Sequence, residues 1–372
     1  MRDASLGEAE NPKPPMASPT ESRSNLKMAR VLAEDGRVLE GEASPLDLAK
    51  TRALYTELVR TRALDLRFVE LHRAGVLPSY ESVLGEEGAI VAPVLALAAD
   101  DAVFPGPREA LAAVARGVSI EALVHHFLGT ARSTTKGHAF STHLSARAHG
   151  VVSVSGVAGA QLPHATGFGW AAKMKKAPRV ALAVVSGGAF VTGDFHNALN
   201  FAGVSKANVV FVCRLDRGTT LGEISATETV AEKAEAYGLP YARVDGRDAL
   251  AVWRELSRAL EIARSFGGAT LVEVVTARTL PSEDGTVTLP EASCPLGLLE
   301  RHLAVLAAEG GDAAPETAGA ALRAKVEAEV ETAFRHALAE AERAGPPSRQ
   351  SMFEDVFAEI PRHLRAQAEA LR

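Results

Sequence analysis

A glycine pair at the end of an apolar run is the feature of this sequence best suited to chemistry. The run Val180–Val185 ends at Ser186-Gly187-Gly188, and apolar residues then recur at helical spacing before a second run, Val209–Val212. Glycine lets a backbone approach a phosphate closely, and a helix N-terminus offers free N–H groups to an anion. The turn therefore indicates an anion site at a strand end, although a tight turn without a ligand explains it equally well.

The sequence gives little support for a hydrolase, dinucleotide-binding or zinc site. No Gly-x-Ser-x-Gly segment typical of a serine hydrolase is present, and the glycine pair does not extend to Gly-x-Gly-x-x-Gly. His125, His126 and His164 lack the spacing to cysteine or acidic residues that a zinc site needs. We interpret them as packing or surface residues of helices.

Acidic residues at predicted helix starts are explained by helix structure alone. Glu86 and Glu87 favour the positive end of a helix dipole, and Asp194 is suited to N-capping. None of the three is needed as a catalytic group.

The elements that would position the turn alternate along the chain. Four apolar runs predict strands, a short strand precedes them, and helices separate most of them. The predicted strands are Ala102–Phe104, Val180–Val185, Val209–Cys213, Tyr241–Val244 and Thr270–Val275, and the helices that separate the last four are Phe195–Gly203, Ala226–Tyr237 and Ala249–Phe266. This alternation predicts an α/β fold with a doubly wound parallel sheet flanked by helices.

The two ends of the chain differ in character. Residues 1–45 are rich in Pro, Ser, Glu and Gly, which predicts a mostly disordered leader with a short strand at Ala29–Leu32. A helix over Leu46–Ala74 follows, with Ser44 as its N-cap, and the C-terminal third predicts helices at Leu296–Ala308 and Ala318–Ala344. Residues 46–372 are thus expected to form one domain with a helical C-terminal region.

Composition narrows the class of protein. The chain of 372 residues is 47% hydrophobic and 23% charged, as in a globular protein. A net charge of −6 argues against nucleic-acid binding, and no apolar run approaches the ~18–20 residues that span a bilayer. Two cysteines cannot form a disulfide framework, and the leader lacks an apolar signal segment, so we expect a cytoplasmic location.

Several segments, in order, resemble one family, the α subunits of thiamine-diphosphate-dependent 2-oxo acid dehydrogenases (E1 components of the pyruvate and branched-chain type). The resemblance covers roughly residues 50–366. The segments that carry it include LGEEGAIVAP (Leu84–Pro93), DDAVFPGPRE (Asp100–Glu109), QLPHATGFGWAAK (Gln161–Lys173), GDFHNALNFAGV (Gly193–Val204) and SMFEDVFAEIPRHLR (Ser351–Arg365).

The resemblance implies a thiamine-diphosphate-binding fold and a shared active site. In the family, a turn acid and an asparagine hold Mg²⁺, while arginines and a histidine hold the diphosphate. The cofactor lies between the α subunit and a separate β subunit in an α2β2 assembly. The acyl product passes to the lipoyl domain of an E2 component, which is a further expected partner.

Four residues of this chain match the family's site. Arg108 matches an arginine that holds the phosphates, with Pro107 in place of the tyrosine before it. Arg214 matches a second arginine near the phosphates, His143 matches a loop histidine with a catalytic role, and Gly188 matches the second glycine of the turn.

Three positions depart from the family. The metal-binding acid of the turn is Gly187, the Asn-Asn pair is Leu215-Asp216, and the phosphate-binding histidine position holds Ser282. Asp216 could supply the missing carboxylate, since carboxylates are Mg²⁺ ligands. A solvated turn residue beside Arg217 is the competing interpretation of Asp216.

Two functions therefore stay open. In the first, the chain is an E1α enzyme subunit that binds thiamine diphosphate and Mg²⁺ with a β partner. In the second, it is a non-catalytic E1α paralogue that keeps the scaffold and partner surfaces without the cofactor. The family resemblance favours the first function. Loss of the metal-binding carboxylate favours the second, because a change even in a residue that only supports a metal ligand costs about 10–100-fold in metal affinity or activity.

Overall fold

A single parallel sheet organises the molecule. The structure, a computed structural model, describes residues 26–219, 221–279, 289–290, 294–310, 315–354 and 356–371. Within these ranges the sheet has the strand order β1-β2-β3-β5-β4. Its strands are Ala102–Phe104 (β1), Ala181–Ser186 (β2), Val209–Asp216 (β3), Tyr241–Asp245 (β4) and Thr270–Thr276 (β5).

Helices cover both faces of the sheet and form the C-terminal region. The α-helices are Leu48–Arg73 (α1), Glu87–Leu95 (α2), Ala112–Ala115 (α3), Ile120–Phe127 (α4), Gln161–Met174 (α5), Gly193–Ser205 (α6), Ala249–Arg264 (α7), Pro295–Glu309 (α8), Pro315–Ala344 (α9) and Arg362–Ala370 (α10). The prediction of a parallel sheet flanked by helices, with a helical C-terminal region, is confirmed.

Strand side chains alternate between two cores because successive residues of a strand point to opposite faces. Val210 and Val212 of β3 join the core beneath α1, α2, α7 and α9. Phe211 and Cys213 join the core beneath α5 and α6. Both faces of β3 are therefore buried, which explains why its sequence is apolar without alternation.

Two local predictions need correction. Helix α1 begins at Leu48, since Asp47 caps it by accepting a hydrogen bond from Lys50 N, so Ser44 is not the N-cap. The predicted helix Ala226–Tyr237 is a 3-10 segment, Ala231–Tyr237. Thr229 pairs with Glu232 through reciprocal side-chain to backbone hydrogen bonds, and this local pairing delays the start of the element.

The segment before α1 packs onto the domain where the structure describes it. Val31 and Leu32 are fully buried, and both backbone N–H groups donate to the Asp248 carboxylate. Ala29 and Leu32 form isolated bridges rather than the expected strand. The folded part thus starts before residue 46, while residues 1–25 of the predicted leader lie outside the described residues.

A helix that crosses a membrane must be long and predominantly apolar. Among the residues that the structure describes, no helix is both long and apolar enough to cross a bilayer.

Candidate functional site

The carboxyl ends of four strands meet at one edge of the sheet. In the register, Ser186 of β2 lies opposite Arg214 of β3, and Asp216 lies opposite Thr276 of β5. The loop after β1 carries Arg108 to the same edge, where it meets a carboxylate that also contacts Arg214. Ligands bind at this edge in open parallel sheets.

Arg214 lies inside the protein at this edge. Its side chain has no exposed surface, and its Nη1 atom lies 2.7 Å from Glu86 Oε2. Its Nη2 atom donates to Glu109. Although burial opposes the charge, the two carboxylates raise the pKa of Arg214 above its ordinary value. The guanidinium is therefore charged and already paired within the chain.

Glu86 connects three elements of the sheet edge. It occupies the N-cap position of α2, but its side chain makes no capping hydrogen bond. Its Oε1 atom instead accepts a hydrogen bond from Thr276 Oγ1 at 3.0 Å, and its Oε2 atom lies 3.6 Å from Arg108 Nε. Burial opposes ionisation, yet Arg214 and Arg108 hold the pKa of Glu86 below its ordinary value.

Glu109 lies against the backbone of the loop after β1. Its side chain is 2% exposed, and a Cβ added at Gly106 would lie 2.7 Å from Glu109 Oε2. Only glycine at position 106 leaves room for this carboxylate without a shift. The loop thus delivers both a positive and a negative side chain, Arg108 and Glu109, to the same cluster.

A third arginine completes the cluster, which we call the edge cluster: Glu86, Arg108, Glu109, Arg214 and Arg278. Arg278 Nε donates to Ser82 O at 3.1 Å, and its charge contributes to the low pKa of Glu86. The pKa of Arg108 is lowered, first by burial and then by repulsion from Arg214. The edge cluster holds three guanidinium groups and two carboxylates.

The glycine turn lies beside the edge cluster. Gly187 has φ +58°, in the left-handed region, and begins a 3-10 segment that runs to Val191. A Cβ added at Gly187 or at Gly188 would meet no atom within 4 Å. The turn therefore has open space above it but offers no side-chain oxygen. The next helix, α6, is capped by Thr192 rather than by Asp194.

Asp216, the predicted metal ligand, lies at the exposed end of β3. Its backbone oxygen accepts a hydrogen bond from Thr219 N at 2.9 Å, which closes a turn. Among the described residues, no group of three or more His, Cys, Asp or Glu side chains is placed to hold a metal ion. Asp216 is thus a lone carboxylate on the side of the sheet edge that faces solvent.

The remaining predicted site residues lie apart from the edge cluster or outside the described ranges. His143 contacts Phe140, at a ring-centroid distance of 5.4 Å, and lies beside Gly156. No hydrogen bond or ion pair joins His143 to Arg108 or Arg214 in the described part of the chain. Ser282 lies outside the described residues.

The sequence predicts that Arg108 and Arg214 lie at the same site, but it does not identify their acidic partners. Glu86 was interpreted as a helix-dipole residue, and Glu109 and Arg278 were given no role. The sequence does contain some sign of these charged partners. Glu86 and Glu87 are adjacent acids at the start of α2, and Arg108-Glu109 places opposite charges side by side.

Known proteins resemble this chain along most of its length. A family model described as "Dehydrogenase E1 component" matches residues 55–288. The 2-oxoisovalerate dehydrogenase subunit alpha of Pseudomonas aeruginosa is 32% identical over 375 residues, covering 96% of this chain and 91% of that protein. The pyruvate dehydrogenase E1 component subunit alpha of Staphylococcus aureus is 32% identical over 275 residues, covering 72% of each chain.

A plant relative shows the same level of similarity. The mitochondrial 2-oxoisovalerate dehydrogenase subunit alpha 1 of Arabidopsis thaliana is 32% identical over 264 residues, which are 70% of this chain and 56% of that protein. The fold and the sheet-edge site define an α/β protein of the E1α type. The chain belongs to the dehydrogenase E1 component family.

The family implies that a diphosphate binds at this sheet edge through Mg²⁺, which requires free arginines and oxygen ligands. Arg214 is enclosed by Glu86 and Glu109, and Gly187 supplies no oxygen ligand. Asp216 lies at an exposed strand end and, among the described residues, belongs to no group of three or more side chains that could hold a metal ion. The described side chains do not fit a metal-bound diphosphate.

Proposed function

We propose that this chain is a non-catalytic E1α-type subunit. It keeps the E1α scaffold, pairs with an E1β-type chain in an α2β2 assembly, and acts as a structural or regulatory subunit. Support for the partner comes from the relatives, which are named as alpha subunits of 2-oxoisovalerate and pyruvate dehydrogenases. Such a subunit would contribute surface and stability to the complex rather than a working cofactor site.

The observation that carries this proposal is the poor donor set at the ends of β2 and β3. A divalent magnesium ion bound with a diphosphate needs oxygen ligands, usually at least one carboxylate. Gly187 has no side-chain oxygen, and Asp216 is exposed and belongs to no group of three metal-ligating side chains within the described residues. A diphosphate without its metal would bring its full negative charge to a sheet edge where two buried carboxylates already lie.

A second function has one observation in its favour. The space above Gly187 and Gly188 is open, and Arg108 Nε makes no hydrogen bond within the described residues. An active E1α subunit would use this space for thiamine diphosphate, which supplies the carbanion chemistry for oxidative decarboxylation of a 2-oxo acid and acyl transfer to a lipoyl group. The chain would then contribute positioning and charge.

Titration calorimetry separates the two functions. The full chain, purified with its E1β-type partner, is titrated with thiamine diphosphate in the presence of Mg²⁺. We expect no binding heat up to millimolar cofactor. Micromolar binding would overturn the non-catalytic assignment and favour the enzyme.

A matched variant tests whether the missing donor is the cause. Gly187→Asp with Asp216→Asn restores an acid on the first loop and an amide on the second. The open space at position 187 admits the side chain, and aspartate tolerates a positive φ better than most residues. Binding gained by this variant and not by Gly222→Asp, a control at another open glycine, would support the proposal.

A further inference from the structure

Two hydrogen-bond donors from different helices converge on the sulfur of Cys294. This residue occupies the N-cap position of α8, and its Sγ atom accepts a hydrogen bond from Gly297 N at 3.4 Å. Arg62 on α1 reaches the same atom, since its Nη1 lies 3.2 Å from Sγ. Cys294 is partly exposed, whereas Arg62 is only 8% exposed. A charged, buried donor therefore lies against a sulfur that solvent can reach.

Arg62 has one nitrogen left over. Its Nε atom donates to Glu87 Oε1 at 2.7 Å, and Glu87 Oε2 accepts from Gly85 N at 3.1 Å, so both oxygens of this carboxylate are used. The Nη2 atom of Arg62 is buried and makes no hydrogen bond within the described part of the chain. A buried polar group without a partner is costly, so Nη2 indicates a position for an acceptor beside the sulfur.

The guanidinium is a planar fork that ends in Nη1 and Nη2. Because Nη1 already donates to Sγ, an oxygen bonded to that sulfur comes within reach of Nη2. We propose that Cys294 is a site of reversible oxidation by hydroperoxides, and that Arg62 holds the oxygen that the sulfur gains. This inference goes beyond the proposed function and does not depend on whether the chain binds a cofactor.

The oxidation begins with the thiolate of Cys294, the nucleophilic form of cysteine, which positive groups and helix N-termini favour. Sγ attacks one oxygen of the hydroperoxide. The S–O bond forms as the O–O bond breaks, and the two electrons that sulfur loses reduce the peroxide. The leaving hydroxide or alkoxide takes a proton from solvent, and a sulfenic acid remains. Arg62 Nη2 donates to the peroxide oxygens as negative charge develops on them.

A small thiol reverses the oxidation. Its sulfur bonds to Sγ of Cys294 as the oxygen leaves as water, which forms a mixed disulfide. A second thiol molecule attacks the small-molecule sulfur of that disulfide, so a small disulfide departs and the cysteine thiol is restored.

The other cysteine of the chain is an internal control. Cys213 lies on β3 and is 1% exposed. Burial raises the pKa of its thiol, which disfavours the thiolate. Cys213 should therefore stay reduced while the chain is folded.

The test measures how fast each thiol of the full chain is oxidised. The chain is freed of reductant, exposed to hydrogen peroxide for set times and treated with dimedone, which attaches to sulfenic acids, and peptide mass spectrometry locates the label. The same measurement in denaturant gives the rate for each unfolded thiol. We expect labelling of Cys294 to be about tenfold faster or more in the folded chain, and labelling of Cys213 in denaturant only.

Arg62→Lys tests the role of the guanidinium. Lysine can keep the ion pair with Glu87 but has no fork to hold an oxygen beside the sulfur. We expect labelling of Cys294 to slow by about tenfold or more. Arg258→Lys is the matched control, because it makes the same change in an exposed ion pair on α7, and it should leave the rate unchanged.

Three results would overturn the inference. The first is labelling of Cys294 that is no faster in the folded chain than in denaturant, a comparison that decides alone if Arg62→Lys does not fold. The second is an unchanged rate in folded Arg62→Lys. The third is a sulfenic acid that a small thiol, added before dimedone, does not remove. Cys294→Ser should lose the label and keep a melting temperature near that of wild type, since serine also caps helices.

Discussion

At the scale of single residues, Arg214 shows how a buried ion pair can form part of a protein core. A guanidinium with no exposed surface, paired with two buried carboxylates, behaves as part of the core. Removing one partner from a buried ion pair is costly because the other charge stays buried and unpaired. The edge cluster therefore makes a direct prediction about stability.

Arg214→Met should destabilise the folded chain by about 3–5 kcal/mol, because Glu86 and Glu109 would lose their buried partner. Urea unfolding followed by circular dichroism measures the change. Arg217→Met is the control, since that side chain is 57% exposed and its ion pair with Asp245 spans 3.9 Å. Equal effects of the two changes would contradict the structural role of Arg214.

Asp65 is a second buried carboxylate with consequences for pH. It has no exposed surface and accepts hydrogen bonds from Tyr80 Oη, Ser82 Oγ and Val83 N. Burial raises the pKa of Asp65 from 3.8 to about 6, despite these hydrogen bonds. The folded state thus holds a proton between about pH 4 and 6 that the unfolded state releases, so this residue's contribution to stability falls as pH rises through that window.

Asp65→Asn should remove this pH dependence. The amide oxygen can accept from Tyr80 and Val83, and the amide nitrogen can donate to Ser82. We expect the variant to exceed wild type in stability by on the order of 1–3 kcal/mol at pH 7–8, with the difference vanishing near pH 4. Denaturant unfolding across this range tests it. A stability difference between Asp65→Asn and wild type that stays constant across this pH range would show that the charge of Asp65 is not the cause.

At the scale of elements, close packing of α5 on the sheet depends on one glycine. A Cβ added at Gly169 would lie 2.5 Å from Asn208 O, the carbonyl that accepts from Ala181 N where β2 begins. Gly167, on the same helix, has open space at the corresponding point. The two glycines form a matched pair.

Gly169→Ala should destabilise the chain by about 1–3 kcal/mol, since the backbone of Asn208 cannot yield without loss of strand pairing. Gly167→Ala should stabilise it by up to about 1 kcal/mol, the usual gain for glycine to alanine in a helix. Thermal unfolding of both variants checks the contrast. Similar effects in both would mean that α5 is free to shift away from the sheet.

Most elements could be predicted because their signals are local. The strands β2, β3 and β5 are apolar runs bounded by turn residues, and the predicted ends lie within a few residues of those observed. The 3-10 segment Ala231–Tyr237 was missed as such because its start depends on Thr229, Glu232 and a distant acceptor, Glu273. In the site, too, the local features could be predicted and the long-range pairings could not. Strand order brings Arg214 to the sheet edge, but its pairing with Glu109, 105 residues away, has no local signal.

At the scale of the whole molecule, Asp248 ties the first described segment to the domain. Its carboxylate accepts hydrogen bonds from Val31 N at 2.6 Å and Leu32 N at 2.7 Å, and also caps α7 through Ala251 N. His302 Nδ1 lies 2.8 Å from Gly36 O, which fastens the same segment to α8. One side chain thus connects residues more than two hundred positions apart.

Asp248→Ala should release residues 26–46 and lower stability by about 2–3 kcal/mol, because three buried N–H groups lose their acceptor. Limited proteolysis followed by mass spectrometry should show faster cleavage in this segment than in wild type. Asp35→Ala, an exposed change within the segment, serves as the control. Unchanged cleavage would show that the segment is held by its apolar contacts alone.

The self-paired edge cluster has a consequence for how the chain matures. The buried charge of Arg214 is paired within its own chain, so folding needs no external anion to neutralise it.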